Sequence, residues 1–213
     1  YLTDNQGYSD YHALQVQYQR KLSHGLQVLA SYSWSHSTDN SSSNFAVYQL
    51  LHASSNFDIR HNFQAAITYD APGRYSNPML SAILQGWSFD TRIAARSGFP
   101  VDVTGAYDID PLTGSYLYYQ PDRVASQPLY MNAPHAPGGR IINYAAFSIP
   151  TNATGNYLQG NSGRNVARGF SSTQIDLALR RDFRLSERFG LQFRLETFNL
   201  LNHAIFGSIY SSR

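Results

Sequence analysis

The sequence contains no cysteine and a single lysine, Lys21, among its 213 residues. The absence of cysteine excludes disulfide frameworks, thiolate metal sites and cysteine nucleophiles. Its 16 basic and 14 acidic residues give a formal net charge of only +2, and the arginines are scattered along the sequence. A surface that binds nucleic acid needs clustered positive charge, so we expect no nucleic-acid partner.

Long apolar runs are also absent. No stretch reaches the roughly 20 apolar residues that a membrane-spanning helix needs. Residues Tyr1 to Asp4 lack the basic region and apolar core of a signal peptide, and there is no initiator methionine. We therefore expect the natural N-terminus to lie upstream, and any membrane crossing to be made by strands.

Aromatic side chains are abundant and charge is scarce, since each class makes up 14% of the residues. Ordinary soluble domains carry roughly 25% charged residues. Six segments alternate apolar and polar residues with the period of two that is typical of strands. They lie at about residues 12–20, 26–36, 58–69, 86–103, 173–183 and 190–199. Most exceed the usual strand length of about five or six residues and approach the length that crosses a tilted bilayer.

The connections between these segments alternate in length. Residues 21–25 and 185–188 form short turns, whereas about 37–56 and about 105–170 form long polar loops. Outer-membrane barrels have this asymmetry, with short turns on one side and long loops on the other. A soluble β-sandwich also has one wet and one dry face, so alternation alone does not decide between the two.

Charge and aromatic placement favour the barrel. Almost all strand charges fall on one alternating face, which suits a watery lumen, and aromatic residues cluster near strand ends, which suits the membrane interfaces. The lumen-facing candidates are Asp58, Arg60, Asp90, Arg92, Arg96, Asp176, Arg180, Arg194 and Glu196. The candidate interface aromatics are Tyr18, Tyr69, Trp87 and Phe183 near the short turns, and Tyr32, Trp34 and Phe99 near the long loops.

We therefore predict an all-β fold, in which an antiparallel up-and-down sheet of about six long strands forms a sector of a larger transmembrane β-barrel. Hydrocarbon cannot satisfy the open edge of a sheet, so a barrel must close. The smallest barrels need about 8 strands, so six strands require a larger structure around them. Outer-membrane lipid is the expected partner of the apolar face.

Enzymatic chemistry has no support in the sequence. The seven histidines show no paired metal-ligand spacing, and Asp108, Asp110 and Asp122 lack the ligand rhythm of a calcium loop. We expect no enzyme activity, no cofactor and no metal. The lumen charges either pair within the wall or line a polar path that also holds a plug.

The long loop near residues 105–170 is rich in tyrosine. Tyr116, Tyr118, Tyr119 and Tyr130 are candidate ligand contacts, because their rings can stack on a sugar or on an aromatic ligand. Packing within the loop accounts for them equally well. The sequence leaves both interpretations open.

Several ordered motifs resemble the Oar-like TonB-dependent receptors of the Acidobacteria type. Each motif alone is weak, but the ordered set covers most of the sequence and leaves the long loop unmatched. The motifs are YHALQV at residues 11–16, ASYSWSHS at 30–37, FDIRHNF at 57–63, ARSGFP at 95–100, NSGRN at 161–165, QIDL at 174–177, LQFRLETFNLLNH at 191–203 and FG at 206–207.

This resemblance implies a receptor with a carboxypeptidase-regulatory-like β-sandwich, a plug domain and a barrel of about 22 strands. Such a receptor takes up a ligand across the bacterial outer membrane and is energised by the TonB complex. The first two modules, the TonB box and a terminal strand ending in an aromatic residue are missing, so residues 1–213 are expected to form part of the barrel. The implied partners are the rest of the barrel and plug, the TonB complex, and an unknown small ligand or oligosaccharide.

Two other functions stay open from the sequence. The first is an outer-membrane or cell-surface binding or adhesion protein that transports nothing. The second is a secreted soluble β-sandwich.

Overall fold

A computed structural model of the chain describes residues 7–42, 52–71, 76–77, 79, 81, 83 and 85–207. Six long strands dominate it, each built on the alternation of apolar and polar residues. These strands are β1 (Ser9–Ser23), β2 (Leu26–Asp39), β4 (His61–Asp70), β5 (Trp87–Arg96), β14 (Ser172–Arg184) and β15 (Gly190–Thr197). Within the described ranges, no helix is long and apolar enough to cross a membrane.

The six long strands form one antiparallel sheet in the order β1-β2-β4-β5-β14-β15. A two-residue strand, β3 (Ala53–Ser54), pairs with the far end of β2. Neighbours in the sheet are also neighbours in chain order, apart from the insertion between β5 and β14. The predicted all-β fold class and up-and-down sheet are therefore confirmed.

The turn between β1 and β2 shows why the first hairpin is tight. His24 and Gly25 have positive φ angles of 51° and 78°. Two consecutive residues with positive φ are typical of the turn that matches the twist of a hairpin. A Cβ atom on Gly25 would lie 2.2 Å from the carbonyl oxygen of Asp70, so glycine is also required by the close approach of β4.

One register runs through all six strands, apart from a shift between Arg20 and Ser23 beside the first turn, and it keeps their two faces separate. Ile93 lies between Ala65 and Ile175, whereas the next residue, Arg92, lies opposite Asp176 on the other side of the sheet. We call the two sides the apolar face and the polar face. The apolar face includes Leu14, Val16, Val28, Tyr32, Ile67, Phe89, Ile93, Ile175 and Leu195. The polar face includes Gln15, Ser31, Gln64, Thr68, Asp90, Arg92, Asp176, Arg180 and Arg194.

The apolar face is open rather than packed. Leu14, Trp34 and Leu191 are 56%, 52% and 56% exposed, and in the described part of the sheet Ala65 is the buried apolar side chain. An apolar surface that runs across six strands is far larger than a soluble monomer exposes, so it needs an apolar neighbour. The sheet is built as a wall with lipid on one side and water on the other.

The apolar core lies outside the sheet, in the insertion between β5 and β14. We call residues 100–168 the external segment. Val101, Val103, Ala146, Phe147 and Ala167 form its buried cluster. Its strands are β6 (Pro100–Val101), β7 (Ala106–Ile109), β8 (Tyr116–Tyr119), β9 (Asp122–Arg123), β10 (Tyr130–Asn132), β11 (Arg140–Ile142), β12 (Phe147–Ser148) and β13 (Ala167–Arg168), with short 3-10 turns at Pro137–Gly139 and Tyr144–Ala146.

The external segment corrects the prediction of an irregular loop at about 105–170. Its strands pair as β7 with β8, β9 with β12, β10 with β11, and β6 with β13. Elements of two to four residues are too short to show a period of two, so their pairing left no signal in the sequence. The last pair joins Val101 to Ala167 and closes the segment at its base.

Two strand ends differ from the prediction. The fourth predicted strand was expected to reach residue 103, but β5 ends at Arg96. A Cβ atom on Gly98 would lie 2.3 Å from the carbonyl oxygen of Gly169, so the chain leaves the sheet here to pack against the other end of the external segment. The predicted loop at about 37–56 is shortened by β2, which extends to Asp39, and by β3. Its residues 43–51 lie outside the described residues.

A charge placed on the apolar face tests the assignment of the two faces. We expect Ile93→Arg to destabilise the complete barrel by about 2–4 kcal/mol, the cost of a cationic side chain facing the middle of the bilayer. Ala94→Arg is the matched control, because Ala94 lies between Gln64 and Gln174 on the polar face. Equilibrium urea unfolding in lipid vesicles measures both, and equal destabilisation by the two changes would contradict the assignment.

Candidate functional site

The centre of the polar face holds a two-point ion pair between neighbouring strands. Arg180 Nε lies 2.7 Å from Asp90 Oδ2, and Arg180 Nη2 lies 3.3 Å from Asp90 Oδ1. Thr68 on the next strand donates its hydroxyl to Asp90 at 2.8 Å. Bidentate arginine–carboxylate contacts fix geometry as well as charge. The pair therefore joins β4, β5 and β14 within the wall.

Two more pairs of opposite charges lie on the polar face. Arg194 forms an ion pair with Glu196 on β15. Arg92 lies opposite Asp176, whose carboxylate accepts hydrogen bonds from the side chain of Gln174 at 2.9 and 3.1 Å. Positive and negative groups thus alternate along the polar face, and much of its charge is balanced within the wall.

Arg96 is placed differently from Arg180 and Arg194, the two polar-face arginines that form ion pairs. Its register neighbours on the two adjacent strands are the neutral residues Asn62 and Ser172. It forms no ion pair with any residue in the described ranges. Its guanidinium lies 4.4 Å from the centre of the Phe99 ring, and its Nη1 atom is buried without a hydrogen-bond partner among the described residues.

Asp58 and Arg60 were predicted on a strand, but the structure places both before β4, which begins at His61. Asp58 is 1% exposed and is not a lumen-lining strand residue. Arg60 continues the hairpin only through its backbone, since its carbonyl oxygen accepts a hydrogen bond from the Ser35 amide at 3.0 Å. Its side chain borders a cleft with Trp34 of the apolar face. The alternation in the sequence extends back to Asp58, but the strand pairing of β4 begins only at His61.

Asp58 instead attaches the external segment to the end of the sheet. Its carboxylate forms an ion pair with Arg168 and accepts a hydrogen bond from the Ser37 amide at 2.7 Å. The Asp58 carbonyl oxygen accepts a second hydrogen bond from Arg168 at 2.7 Å. His36 Nδ1 lies 3.2 Å from the same carboxylate. One buried acid thus joins β2, the start of β4 and β13.

A second buried pair makes the same connection from the end of β2. Arg164 Nη2 lies 2.9 Å from Asp39 Oδ1 and donates to the Asp39 carbonyl oxygen at 2.6 Å. The side chains of Arg164 and Asp39 are only 2% and 7% exposed. Removing one partner of such a pair leaves a buried charge uncompensated. The external segment is therefore held at a defined position over the long-loop end of the sheet.

Asn165 completes this attachment with an unusual backbone conformation. Its φ angle is 59°, in the left-handed region that asparagine tolerates better than most residues. Its side-chain amide donates to the Ser54 carbonyl at 2.7 Å and to Asn56 Oδ1 at 2.8 Å. Its backbone amide donates to Asp102 Oδ1 at 3.1 Å. The motif at residues 161–165 thus contacts β3 and the residues that follow it.

The two acids at the base of the external segment are perturbed in opposite directions. Burial alone would raise the pKa of Asp58, but the hydrogen bond and positive charge of Arg168, with the Ser37 amide, hold that pKa below its ordinary value. Burial raises the pKa of the Asp102 carboxyl, and the amides of Asn165 and Val103 offset only part of this increase. Asp58 is therefore stabilised as an anion, and Asp102 is not.

Most of the predicted interface aromatics share the apolar face. They are Tyr18, Tyr32, Trp34, Tyr69, Trp87 and Phe183. At the short-turn end, Arg181 also lies on this face, with its guanidinium 5.1 Å from the Trp87 ring and 4.7 Å from the Phe183 ring. The sequence analysis missed this arginine. An arginine can lay its stem on apolar surface and extend its charge towards the headgroups.

Phe99 was predicted with the interface aromatics, but it lies beyond the end of β5. Its ring packs under Arg96, which belongs to the polar face. The departure of the chain at Gly98 redirects the ring towards the mouth of the sheet. Whether Phe99 also contacts headgroups stays a prediction.

The four candidate ligand-contacting tyrosines do not form one group. Tyr116 and Tyr118 cluster with Tyr107, whose ring centre lies 5.5 Å from that of Tyr116. Tyr119 points to the opposite side of the same hairpin and packs against Tyr157 at 6.0 Å. The sequence analysis missed Tyr107 because it lies on the other strand of the hairpin.

Tyr130 lies apart from the hairpin and lines a cleft of about 230 Å³. Its hydroxyl accepts a hydrogen bond from the Arg168 amide at 2.6 Å, and Arg140 lies 4.4 Å from its ring centre. Gly169 and Phe170 form one side of this cleft. The same two residues also line a second cleft, which contains Arg96 and has a volume of about 380 Å³.

The part of the chain that the structure describes contains no candidate metal site. No three His, Asp or Glu side chains are grouped there so as to hold an ion. The candidate set is divided: Asp108 lies on β7, Asp110 follows it in the β7–β8 turn, and Asp122 lies on β9, which pairs with β12.

Together, the lipid-facing apolar side, the charged polar side and the asymmetric connections define the wall of an outer-membrane β-barrel. The family model for an outer membrane beta barrel domain matches residues 1–212, and the chain belongs to that family. Its location is the bacterial outer membrane. Neither the curated proteins nor the solved structures include a match to the chain.

Breaking one buried pair tests the attachment of the external segment. We expect Arg164→Met to cost about 3–5 kcal/mol locally, because Asp39 stays buried without its partner. Chymotrypsin cleavage of the segment on intact cells should then become about a hundredfold faster or more. Arg188→Met, in the exposed β14–β15 turn, removes the same charge and should leave cleavage unchanged. Equal cleavage rates in both variants would show that the segment is held by other contacts.

The lowered pKa of Asp58 predicts acid release of the segment. Because this pKa lies below the unfolded value of about 3.9, the stabilisation is complete above roughly pH 4 and is lost as the pH falls through the folded value. Asp102 acts in the opposite sense, since its contribution grows as the pH falls towards 4. Hydrogen exchange at residues 164–168, corrected for intrinsic rates, should show protection that decreases below pH 4. This decrease should be smaller in Asp58→Asn, and an unchanged decrease would exclude Asp58 as its source.

Proposed function

We propose that the chain forms part of a TonB-dependent receptor of the Oar-like type, which takes up a ligand across the outer membrane. The observation that carries this proposal is the external segment, which has its own apolar core and is attached at the long-loop end of the polar face by the buried pair Arg164–Asp39 and the half-buried pair Arg168–Asp58. A fixed structure at this position presents constant clefts to a solute before it enters the lumen. Loops that carry binding residues on a rigid scaffold are a common design for recognition.

The polar face supports passage rather than catalysis. Asp90 and Arg180 are bound to each other, as are Arg194 and Glu196. Groups held in this way line a hydrated path while leaving little net charge to trap a solute. A general acid–base site would need a titratable group poised to exchange a proton with a substrate. We therefore propose a receptor without enzymatic activity, and one that needs no cofactor or metal.

The partners follow from the same proposal. Six strands cannot satisfy the open edges of the sheet in lipid, so further strands of the barrel must pair with β1 and β15. The motif resemblance supports a plug domain inside the lumen and energy from the TonB complex. The unknown small ligand or oligosaccharide would enter from the side of the external segment.

A surface-binding protein without transport is the second candidate. The cluster of Tyr107, Tyr116 and Tyr118 favours it, because Tyr107 and Tyr116 are 58% and 53% exposed on a hairpin of the external segment. Such a hairpin could hold a glycan on the cell surface without any lumen being used. Coupling to TonB separates the two candidates.

The decisive test is energy coupling of the complete protein. The gene should be sequenced on both sides of the codons for Tyr1 and Arg213, and the full-length product tested for binding to the purified periplasmic domain of TonB. We expect an upstream plug domain with a coupling segment, and binding that is lost when that segment is deleted. A complete gene that encodes no plug, or a product that does not bind TonB, would exclude the receptor and favour the surface-binding protein.

A further inference from the structure

The cleft around Arg96 lies where the polar face meets the external segment. We define the Arg96 cleft by Arg96, Phe99, Gly169, Phe170 and Phe206. Its volume of about 380 Å³ is within the range of small-molecule sites, roughly 300–1,000 Å³. Arg96 is the last residue of β5, so the cleft opens at the mouth of the lumen side.

Arg96 is the charged group of this cleft, and its charge is not compensated by the described residues. The ion pairs Arg164–Asp39, Arg168–Asp58 and Arg180–Asp90 contrast with Arg96, which lies between Asn62 and Ser172. Its Nη1 atom is buried and has no hydrogen-bond acceptor among the described residues. A buried donor without an acceptor costs folding free energy, so the site favours a ligand that brings an anionic oxygen.

Three phenylalanine rings line the cleft, beside Asn56, Pro100 and Val101. Phe99 lies against the guanidinium with 4.4 Å between Arg96 Cζ and the ring centre. Phe170 and Phe206 contact each other with ring centres 5.0 Å apart and a 53° angle between the planes. Phenylalanine rings offer no hydrogen bonds, so they select a flat apolar body rather than a hydroxylated one.

We propose that the Arg96 cleft binds a small aromatic anion, whose carboxylate or equivalent acidic group contacts the guanidinium of Arg96 and whose ring packs against Phe99, Phe170 and Phe206. This inference rests on the proposed uptake function and names the chemical class of its ligand. A guanidinium with one face on a ring can still present its edge to two oxygens of an acid. The charge of Arg96 thus contacts the acidic group of the ligand, and the phenylalanine rings contact its aromatic body.

A second cleft shares two residues with the Arg96 cleft. Gly169 and Phe170 line both the Arg96 cleft and the cleft that contains Arg140 and Tyr130. Arg140 also stacks on an aromatic ring and forms no ion pair with a described residue. Both clefts therefore combine a positive charge with aromatic surface, and the proposal concerns the Arg96 cleft.

The test uses the complete protein in lipid nanodiscs and two small probes. 2-Naphthoate carries the acid, and 2-naphthamide has the same ring without the charge. Equilibrium dialysis measures the affinity of both, with empty nanodiscs as the blank for partition into lipid. Arg96→Gln removes the charge in the cleft, while Arg188→Gln removes one charge from the exposed turn at the opposite end of the sheet.

We expect 2-naphthoate to bind the unchanged protein at least tenfold more tightly than 2-naphthamide. Arg96→Gln should abolish this preference and Arg188→Gln should retain it. Arg96→Lys keeps a charge but loses the planar fork, so it should retain part of the preference. The comparison of the two probes on the unchanged protein requires no variant to fold, and heat-modifiable migration on gels confirms folding of each variant.

Equal binding of the two probes, no binding of 2-naphthoate, or an unchanged preference in Arg96→Gln would each overturn the proposal. The measurement needs no energy source, so it is independent of coupling to TonB. Binding at Arg96 without TonB coupling would keep the ligand class and exclude the receptor. TonB coupling without binding at Arg96 would keep the receptor and exclude the ligand class.

Discussion

A single register shared by six antiparallel strands determines what each side of this wall can contact. Side chains alternate with a period of two, so a slip of one residue in any strand would exchange its apolar and polar sets. Such a slip in β5 would turn Asp90 and Arg92 towards lipid. The ion pair between Asp90 and Arg180 and the contact of Ile93 with Ala65 and Ile175 depend on the same alignment. The same strand register thus satisfies the backbone hydrogen bonds and places apolar side chains towards lipid and polar side chains towards water.

The external segment solves a different physical problem. It lies in water, and it buries Val101, Val103 and Phe147 as a soluble domain would. Its position relative to the wall depends on buried charges rather than on apolar contact, through Arg164 with Asp39 and Arg168 with Asp58. Directional contacts of this kind fix orientation, whereas apolar surfaces alone permit sliding. The two clefts that Phe170 lines lie beside this attachment, since Arg168 lines one of them.

The sequence predicted those parts of the fold that repeat. Alternation in the long strands was sufficient to predict the all-β sheet, but it did not predict which charges of the polar face pair, such as Asp90 with Arg180. The external segment could not be predicted, because the pairing of Val101 with Ala167 joins strands of two residues that are distant in sequence. Asp58 was placed on a strand because its neighbours still alternate, although the ladder starts at His61. Phe170 and Phe206 entered no prediction, since only the folded segment brings them beside Arg96.

The two attachment pairs also impose an order on biogenesis. Arg164 and Asp39 are separated by 125 positions in the chain, and Arg168 and Asp58 by 110. Contacts between residues so far apart in sequence pay a large loop-closure entropy and form late. Asp39 is the last residue of β2 and Asp58 lies just before β4, whereas both arginines lie between β5 and β14. Each pair closes a stretch of chain that contains β4 and β5, so we expect docking of the segment to follow the folding of those two strands.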